Sequence, residues 1–450
     1  MKKSKLKTVY VCNDCGAKFP TWSGRCSVCG AYNSITEEII STTSLKPYIT
    51  TKSVPKPINS IDVSYKGERL KTGYKNLDSA LGGGFVLGQV VLLSGEPGIG
   101  KSTLLLKIAS NISKVKRVLY VSGEESARQI YIRAKRLGVE DTELFVLSET
   151  NLEAILEGIE SVNPGFIVFD SIQTLYSDLL ESSAGSVSQV KYISGKITEL
   201  SKSKGLISVI VGQVNKEGVI AGPKVLEHTV DTVVQFDGGK GYGYRILKIT
   251  KNRFSSSGEM AVFNMTERGM EEVLDPSSFF LSEKPLNTSG SVIFPYTEGS
   301  KPILIEVQAL VSKTFYPVPQ RRAQGVDPNR LSIITAVLEK YLKINLKDRD
   351  IFVNVVGGIE VDDPAVDLPI AAAILSSYRD IPLPSSIAFF GEIGLTGEVR
   401  GVYFSDLRIK ECEKMGIKRV VANLKEKFGN VDYIELNSVE DIAKTLPKLV

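Results

Sequence analysis

Short uninterrupted apolar runs alternate along this chain with longer stretches in which apolar residues recur every three or four positions. The runs predict buried strands and the recurrences predict helices packed over them. Val90, Val91, Leu92 and Leu93 form one such run, and Leu104, Leu105, Leu106, Ile108, Ala109 and Ile112 form the buried face of the helix that follows. Further strands are predicted over 117–121, 165–170, 206–211, 232–236 and 244–250. Strands separated by helices in this way imply an α/β fold with a mostly parallel sheet. After Asp275-Pro276-Ser277-Ser278 the composition changes, and Ile303 to Val311 begins a second α/β unit. There Phe352–Val356 predicts a strand, Pro369–Ser377 a helix, and 389–400 a hairpin with glycine turns. Residues 35–66 are rich in Ser, Thr, Pro and Lys without periodicity and read as a linker. The plan is a cysteine-bearing segment at 1–34, the linker at 35–66, an α/β domain at 67–275 and a second at 285–450.

Composition adds little until the cysteines are placed. The 450 residues carry 55 basic and 51 acidic side chains, so bulk charge makes no case for nucleic acid and any such binding rests on local patches. No apolar stretch approaches the roughly 18 residues of a membrane span. The lysine-rich start lacks an apolar leader, so a cytoplasmic location is expected. Cys12-x-x-Cys15 and Cys26-x-x-Cys29 form two knuckles that close a tetrahedral thiolate site, each followed by a glycine that allows the tight turn. Structural zinc is the expected occupant, because four protein ligands leave no open position for catalysis. A redox pair does not account for two knuckles so close together.

The strand at 90–93 and the helix after it flank Gly95-Glu96-Pro97-Gly98-Ile99-Gly100-Lys101-Ser102-Thr103, which fits G-x-x-x-x-G-K-[ST]. The glycines let backbone N–H groups turn toward phosphate oxygens at the positive end of a helix. Lys101 is expected to reach the β and γ phosphates of ATP, and the Ser102 hydroxyl to hold Mg²⁺. The strand ending at Asp170 reads as the acid-ended strand whose carboxylate supports the same metal. Glu124, at the end of the strand before Ser122-Gly123-Glu124-Glu125, is expected to orient the attacking water, with Glu125 as the alternative. Gln213 ends the 206–211 run and places an amide where a γ phosphate would lie. Two loops, Thr174 to Gln189 and Asn215 to Thr229, leave the same sheet edge. Lys191, Lys216 and Lys224 offer phosphate contacts there, or are simply solvated charges.

Thr72-Gly73-Tyr74-Lys75-Asn76-Leu77-Asp78 leading into Leu81-Gly82-Gly83-Gly84 resembles the entry segment of RecA-type ATPases. The four-cysteine ribbon, the phosphate loop, Ser122 to Glu125, the segment Lys216 to His228 and the turn Lys251-Asn252-Arg253-Phe254 together resemble the RadA (Sms) family of bacterial DNA repair proteins, over nearly the whole chain. That resemblance implies a hexameric ring with ATP between subunits and Lys251 and Arg253 acting on a neighbour's nucleotide. It also implies movement on single-stranded and branched DNA, branch migration of recombination intermediates, and partnership with RecA. Gln213-Val214-Asn215, Ser255 and Leu87 depart from the family pattern.

The C-terminal segment resembles the proteolytic domain of Lon, which needs a serine nucleophile and an activating lysine. By that resemblance Asp367 stands at the serine position and Asp406 at the lysine position, and carboxylates supply no acyl nucleophile. Three readings follow: an ATP-driven DNA motor, a soluble Lon-like peptidase disfavoured by those two aspartates, and a nucleotide-gated assembly switch similar to KaiC.

Overall fold

The computed structural model describes residues 6–12, 17–41, 57, 69–139, 143–213, 225–238, 243–286, 288–424, 426 and 428–449. The chain divides into two compact units, 1–237 with 243–272 and 238–242 with 273–450.

The first unit begins with a three-stranded antiparallel sheet of β1 (Leu6–Cys12), β2 (Lys18–Phe19) and β3 (Ile35–Ser41) in the order β2-β1-β3. β3 corrects the sequence reading, which starts a linker at Ile35. It pairs along the full length of β1, from Leu6 opposite Ser41 to Cys12 opposite Ile35. A partner so far away in sequence leaves no periodicity in a stretch of Thr and Glu.

The core of this unit is a nine-stranded sheet. Its elements in chain order are α1 (Lys75–Ala80), β4 (Val90–Gly95), α2 (Lys101–Ser113), β5 (Val118–Ser122), α3 (Ala127–Arg136), β6 (Leu144–Ser148), α4 (Leu152–Val162), β7 (Phe166–Asp170), α5 (Val187–Lys204), β8 (Ile207–Gln213), α6 (Val225–Thr229), β9 (Thr232–Asp237), β10 (Tyr244–Asn252), β11 (Met260–Thr266) and β12 (Gly269–Glu272). Strand order is β12-β11-β10-β9-β4-β8-β7-β5-β6. From β9 to β6 all neighbours are parallel, and β9 to β12 form an antiparallel meander.

β4 is apolar without alternation because both of its faces are covered. Val91 and Leu93 join Leu104, Ile108 and Ile112 of α2 in one core, whereas Val90 and Leu92 join Ile155 of α4 and Ile193 of α5 in the other. β6, β11 and β12 were not legible in the sequence. β6 is an edge strand with its residues half or fully exposed, and an edge strand needs no buried run.

The meander serves the core through one carboxylate. Glu272, at the end of β12, accepts the N–H groups of Lys75 at 2.7 Å, Asn76 at 2.8 Å and Leu77 at 2.9 Å. It thereby caps the amino end of α1, whose preceding residue Tyr74 makes no side-chain cap. Burial, with the Glu272 charge second, pushes the Tyr74 phenol up to about 12.

The second unit contains α7 (Pro276–Leu281), β13 (Ser291–Glu298), β14 (Lys301–Lys313), β15 (Arg321–Gln324), α8 (Pro328–Leu342), β16 (Arg349–Val355), α9 (Asp367–Arg379), β17 (Ile387–Phe389), β18 (Glu392–Ile393), β19 (Val399–Arg400), α10 (Ser405–Lys414), β20 (Arg419–Ala422), β21 (Asp432–Glu435) and α11 (Val439–Thr445). Its main sheet has the order β15-β16-β14-β13-β17-β20-β21, and β18 and β19 form the glycine-turned hairpin. The unit starts one strand earlier than the Ile303 run suggests, since β13 pairs with β14 from Ser291 opposite Gln308 to Glu298 opposite Lys301. Arg408 is buried at 2 % exposure, bonded at 2.5 Å to Asp363 and to the Pro295 carbonyl, with the rings of Phe294 and Phe390 each 5.7 Å from its guanidinium.

Replacing Glu272 with alanine should remove the cap of α1 and lower the free energy of unfolding by about 1–2 kcal/mol, read as a reduced urea midpoint. An unchanged midpoint would show that the cap adds nothing.

Candidate active site

The phosphate loop follows from the end of β4. Gly98 and Gly100 take φ of +78° and +113°, which a side chain at either position would strain. A Cβ on Gly95 would meet the Phe236 carbonyl at 2.7 Å, so only glycine lets β4 and β9 approach there. Arg245 of β10 donates to the Ile99 carbonyl at 3.1 Å and braces the loop. The Lys101 ammonium donates to the carbonyls of Gly95 at 2.7 Å and Glu96 at 2.8 Å, folded over the loop it belongs to. Burial lowers its pKa, against the charges of Asp170, Glu124 and Glu96.

Strand order decides what faces this loop. β8 lies between β4 and β7, and the register sets Gln213 opposite Gly95. Ser122 lies opposite Asp170 in the next pair, so Glu124, just beyond β5, comes to the same edge. Glu124 accepts hydrogen bonds from the Ser171 hydroxyl at 2.5 Å and the Gln213 amide at 2.7 Å. Glu125 is turned away and paired with Arg133 of α3. Of the two acids it is Glu124 that faces the loop. Gly123 permits this turn, because a Cβ there would lie 2.1 Å from the Thr174 hydroxyl.

Tyr120 is the contributor that the motifs do not reveal. Fully buried at 2 % exposure on β5, its hydroxyl donates to Asp170 at 2.6 Å. Burial, with Asp170 second, pushes its pKa far up, and Ser102 is within hydrogen-bonding reach of the same hydroxyl. Ser102, Tyr120 and Asp170 thus adjoin, a donor set of hydroxyl and carboxylate oxygens that suits Mg²⁺. Its only trace in the sequence is a polar atom inside an apolar strand.

Lys251 and Arg253 lie elsewhere. Asn252 pairs with Thr232, which pairs with Val91, so the turn sits at the amino end of β4 while the phosphate loop leaves its carboxyl end. A strand of this length separates them by on the order of 15 Å. Lys251 donates to the carbonyls of Glu227 and Val230, and Arg253 pairs at 3.1 Å with Asp231, which is buried at 3 % exposure. Burial, then the Arg253 charge, lowers the Lys251 pKa. Ser255 accepts from the Asn252 amide at 2.6 Å.

Of the three lysines proposed for DNA, Lys191 is exposed on α5 and so lies in a helix, beyond the loop where the sequence put it. Lys216 and Lys224 lie outside the described residues. The first loop is tied down by Gln189, whose amide donates to the carbonyls of Ser177, Leu180 and Ser182 at 3.1, 3.3 and 2.9 Å.

In the ribbon, the ligand atoms of Cys12, Cys26 and Cys29 all lie within 4.8 Å of one another, and Cys12 and Cys29 sulfurs are 3.6 Å apart. Tetrahedral zinc with bonds of about 2.3 Å places its sulfurs about 3.8 Å apart, so the three thiols fit the metal. Gly30, at φ +81°, closes the second knuckle by donating to the Cys26 carbonyl at 2.9 Å. Cys15 lies outside the described residues.

In the second unit, Asp367 at the start of α9 is buried and accepts from Arg330 at 2.6 Å and from the Ile393 N–H at 3.1 Å. Burial raises its pKa against the Arg330 pairing. Asp406 is on α10, 3.7 Å from Lys410. Neither aspartate is a nucleophile for acyl transfer.

The central sheet with its glycine-rich loop, Lys101 and the two acids places the chain among the P-loop ATPases of RecA-like fold. Residues 70–153 match the ATPase family described as KaiC, 10–37 the rubredoxin metal binding domain, and 328–425 the subunit ChlI of Mg-chelatase. Two curated relatives are each called DNA repair protein RadA. That of Aquifex aeolicus (strain VF5) is 52% identical over 445 residues, 99% of this chain and 99% of the relative. That of Bacillus subtilis (strain 168) is 44% identical over 453 residues, 98% of each. A KaiC-like protein of Pyrococcus horikoshii OT3 aligns at 19% identity over 46% of this chain and 98% of its own, with a TM-score of 0.39. This chain belongs to the RadA family, with ATP and Mg²⁺ as ligands of its core and Zn²⁺ of its ribbon.

Tyr120→Phe should raise the Mg²⁺ concentration for half-maximal ATP hydrolysis by about tenfold, since loss of a partner to a metal-ligating carboxylate weakens binding on that scale. A magnesium titration unchanged from wild type would remove Tyr120 from the site.

Proposed function

We propose that this chain is an ATP-driven motor that grips single-stranded DNA and drives branch migration of recombination intermediates in DNA repair. The observation that carries the reading is the position of Lys251 and Arg253. They stand at the far end of β4 from their own phosphate loop, a position that supports action on an adjacent subunit's nucleotide in place of their own. Such a head-to-tail contact closes into a ring or continues as a filament, and the family resemblance implies a hexameric ring. No described helix is long and apolar enough to cross a membrane. A cytoplasmic setting and partnership with RecA belong to the same proposal.

Within one subunit the roles divide by position. Backbone N–H groups from Gly95 to Thr103 receive phosphate oxygens, and Lys101 moves from its carbonyl partners to the β and γ phosphates. Glu124 orients the attacking water and holds it beside the γ phosphate. Gln213 spans from Glu124 to the end of β8, which leads directly into the second DNA loop. Exchange of that amide between Glu124 and a γ phosphate would couple hydrolysis to the DNA-binding segment that carries Lys216 and Lys224, with Lys191 adding a phosphate contact. Ser102 and Asp170 would hold Mg²⁺, which neutralises charge on the transferring phosphoryl group.

Unwinding of a branched DNA substrate tests the motor. Wild type should separate strands with ATP, and Lys101→Ala should lose both unwinding and hydrolysis. ATP-driven changes of assembly without strand movement would instead favour the KaiC-like switch. For the trans role, Lys251→Ala should leave nucleotide affinity nearly unchanged while cutting turnover of the assembled protein at least tenfold. Mixing it with Lys101→Ala should restore part of that turnover, because some interfaces then carry an intact loop facing an intact Lys251. No recovery on mixing would place Lys251 outside the neighbour's site.

A further inference from the structure

The main sheet of the second unit leaves part of one face open. On β14 the side chains of Gln308 and Leu310 point to that face, and the register sets them opposite Asn354 and Phe352 of β16. β15 adds Arg322 opposite Phe352 and Gln324 opposite Asn354. Two rows run across the strands, one of amides and one of arginine, ring and aliphatic chain. Leu310 is 58% exposed, and Arg322 and Gln324 are exposed beside it.

A cavity of about 320 Å³ opens on this face between β14, β16 and the segment that precedes β13. Its lining contains no charged residue. Two of its polar atoms, the Thr288 hydroxyl and the Asn354 Oδ1, are shielded from solvent and have no hydrogen-bond partner. Such atoms are costly when left unpaired, so the cavity favours a ligand that satisfies them. The rim is rigid. Gly290, at φ +79°, takes the Ala309 N–H at 2.8 Å and gives its own N–H to Ser376 at 2.8 Å.

An uncharged lining favours a neutral group over phosphate or carboxylate as the enclosed group. Phe352, Leu310 and Pro285 supply apolar walls, while an asparagine amide and a hydroxyl supply hydrogen bonds at one end. Flat apolar faces with a neutral edge of donors and acceptors describe a nucleobase, which asparagine reads through its amide and which stacks on aromatic rings. We infer that this cavity binds an unpaired nucleobase, with Phe352 stacking, Asn354 and Thr288 reading the edge, and Arg322 on the adjacent strand meeting the strand's phosphate. The source of the base in single-stranded DNA rests on the function proposed above; the pocket chemistry does not.

Photocrosslinking of the full-length protein to a single-stranded oligonucleotide carrying 5-iodouracil tests this without ATP, with the attached peptide mapped by mass spectrometry. A crosslink is expected in the peptide containing Phe352, and Asn354→Leu should lower its yield about tenfold while the urea midpoint stays at or above wild type. An otherwise identical oligonucleotide with an abasic position beside the probe competes no less well if only phosphates are bound, and that result overturns the base pocket. Crosslinks confined to residues 69–272 also overturn it. Free 5-iodouridine labelling the same peptide as strongly as the oligonucleotide keeps the pocket and assigns it to a mononucleoside. The crosslink persisting in a protein that does not unwind DNA refutes the motor alone, and unwinding without the crosslink refutes the pocket alone.

Discussion

Parallel pairing of β4 with β8 on one side and β9 on the other is the constraint from which the rest of the ATPase follows. It fixes which residues leave the sheet together. At the carboxyl edge it aligns Gly95 with Gln213 and Phe236, and through β7 and β5 it brings Asp170, Ser122 and Glu124 to the same line. At the opposite edge the same register gathers Val90, Asp231 and Arg253. A slip of one residue would turn every side chain of β4 to the other face and exchange the two cores.

The site is a chain of hydrogen bonds and few of its members are isolated. Tyr120 holds Asp170, Ser171 next to Asp170 holds Glu124, and Gln213 holds Glu124 from β8, two strands over from β5. Lys101, desolvated and bonded to its own loop's carbonyls, waits in a position that phosphate oxygens would improve upon. Preorganised dipoles of this kind are the usual source of stabilisation for a developing charge.

The same physics acts differently in the two outer parts. Among its described residues the ribbon has few buried side chains beyond Val11, Cys12, Cys26 and Ile35, so metal ligation and the pairing of β1 with β3 carry it. The C-terminal unit is built on a broad apolar core and spends its polar groups on pairs, such as Arg330 with Asp367 and Arg408 with Asp363. By its resemblance to Lon, the position where that family has its nucleophile holds the Asp367 carboxylate, which is paired with Arg330.

Motifs with fixed spacing were legible from the sequence because their chemistry needs neighbours along the chain: the glycines and Lys101 of the phosphate loop, the cysteine knuckles, and an acid after an apolar strand at Asp170. Buried parallel strands announced themselves as unbroken apolar runs, so β4, β7 and β8 were readable. The edge strand β6 was not, since half-exposed residues leave no apolar signature, and neither were β3, β11 and β12, although Met260 to Phe263 of β11 form a buried apolar run. Only the tertiary structure paired Glu125 with Arg133, found Tyr120, made Glu272 the cap of a helix some two hundred positions earlier, and set Lys251 and Arg253 against the wrong end of their own sheet. Those facts depend on strand order and register, and contacts between residues distant in the chain are what folding decides.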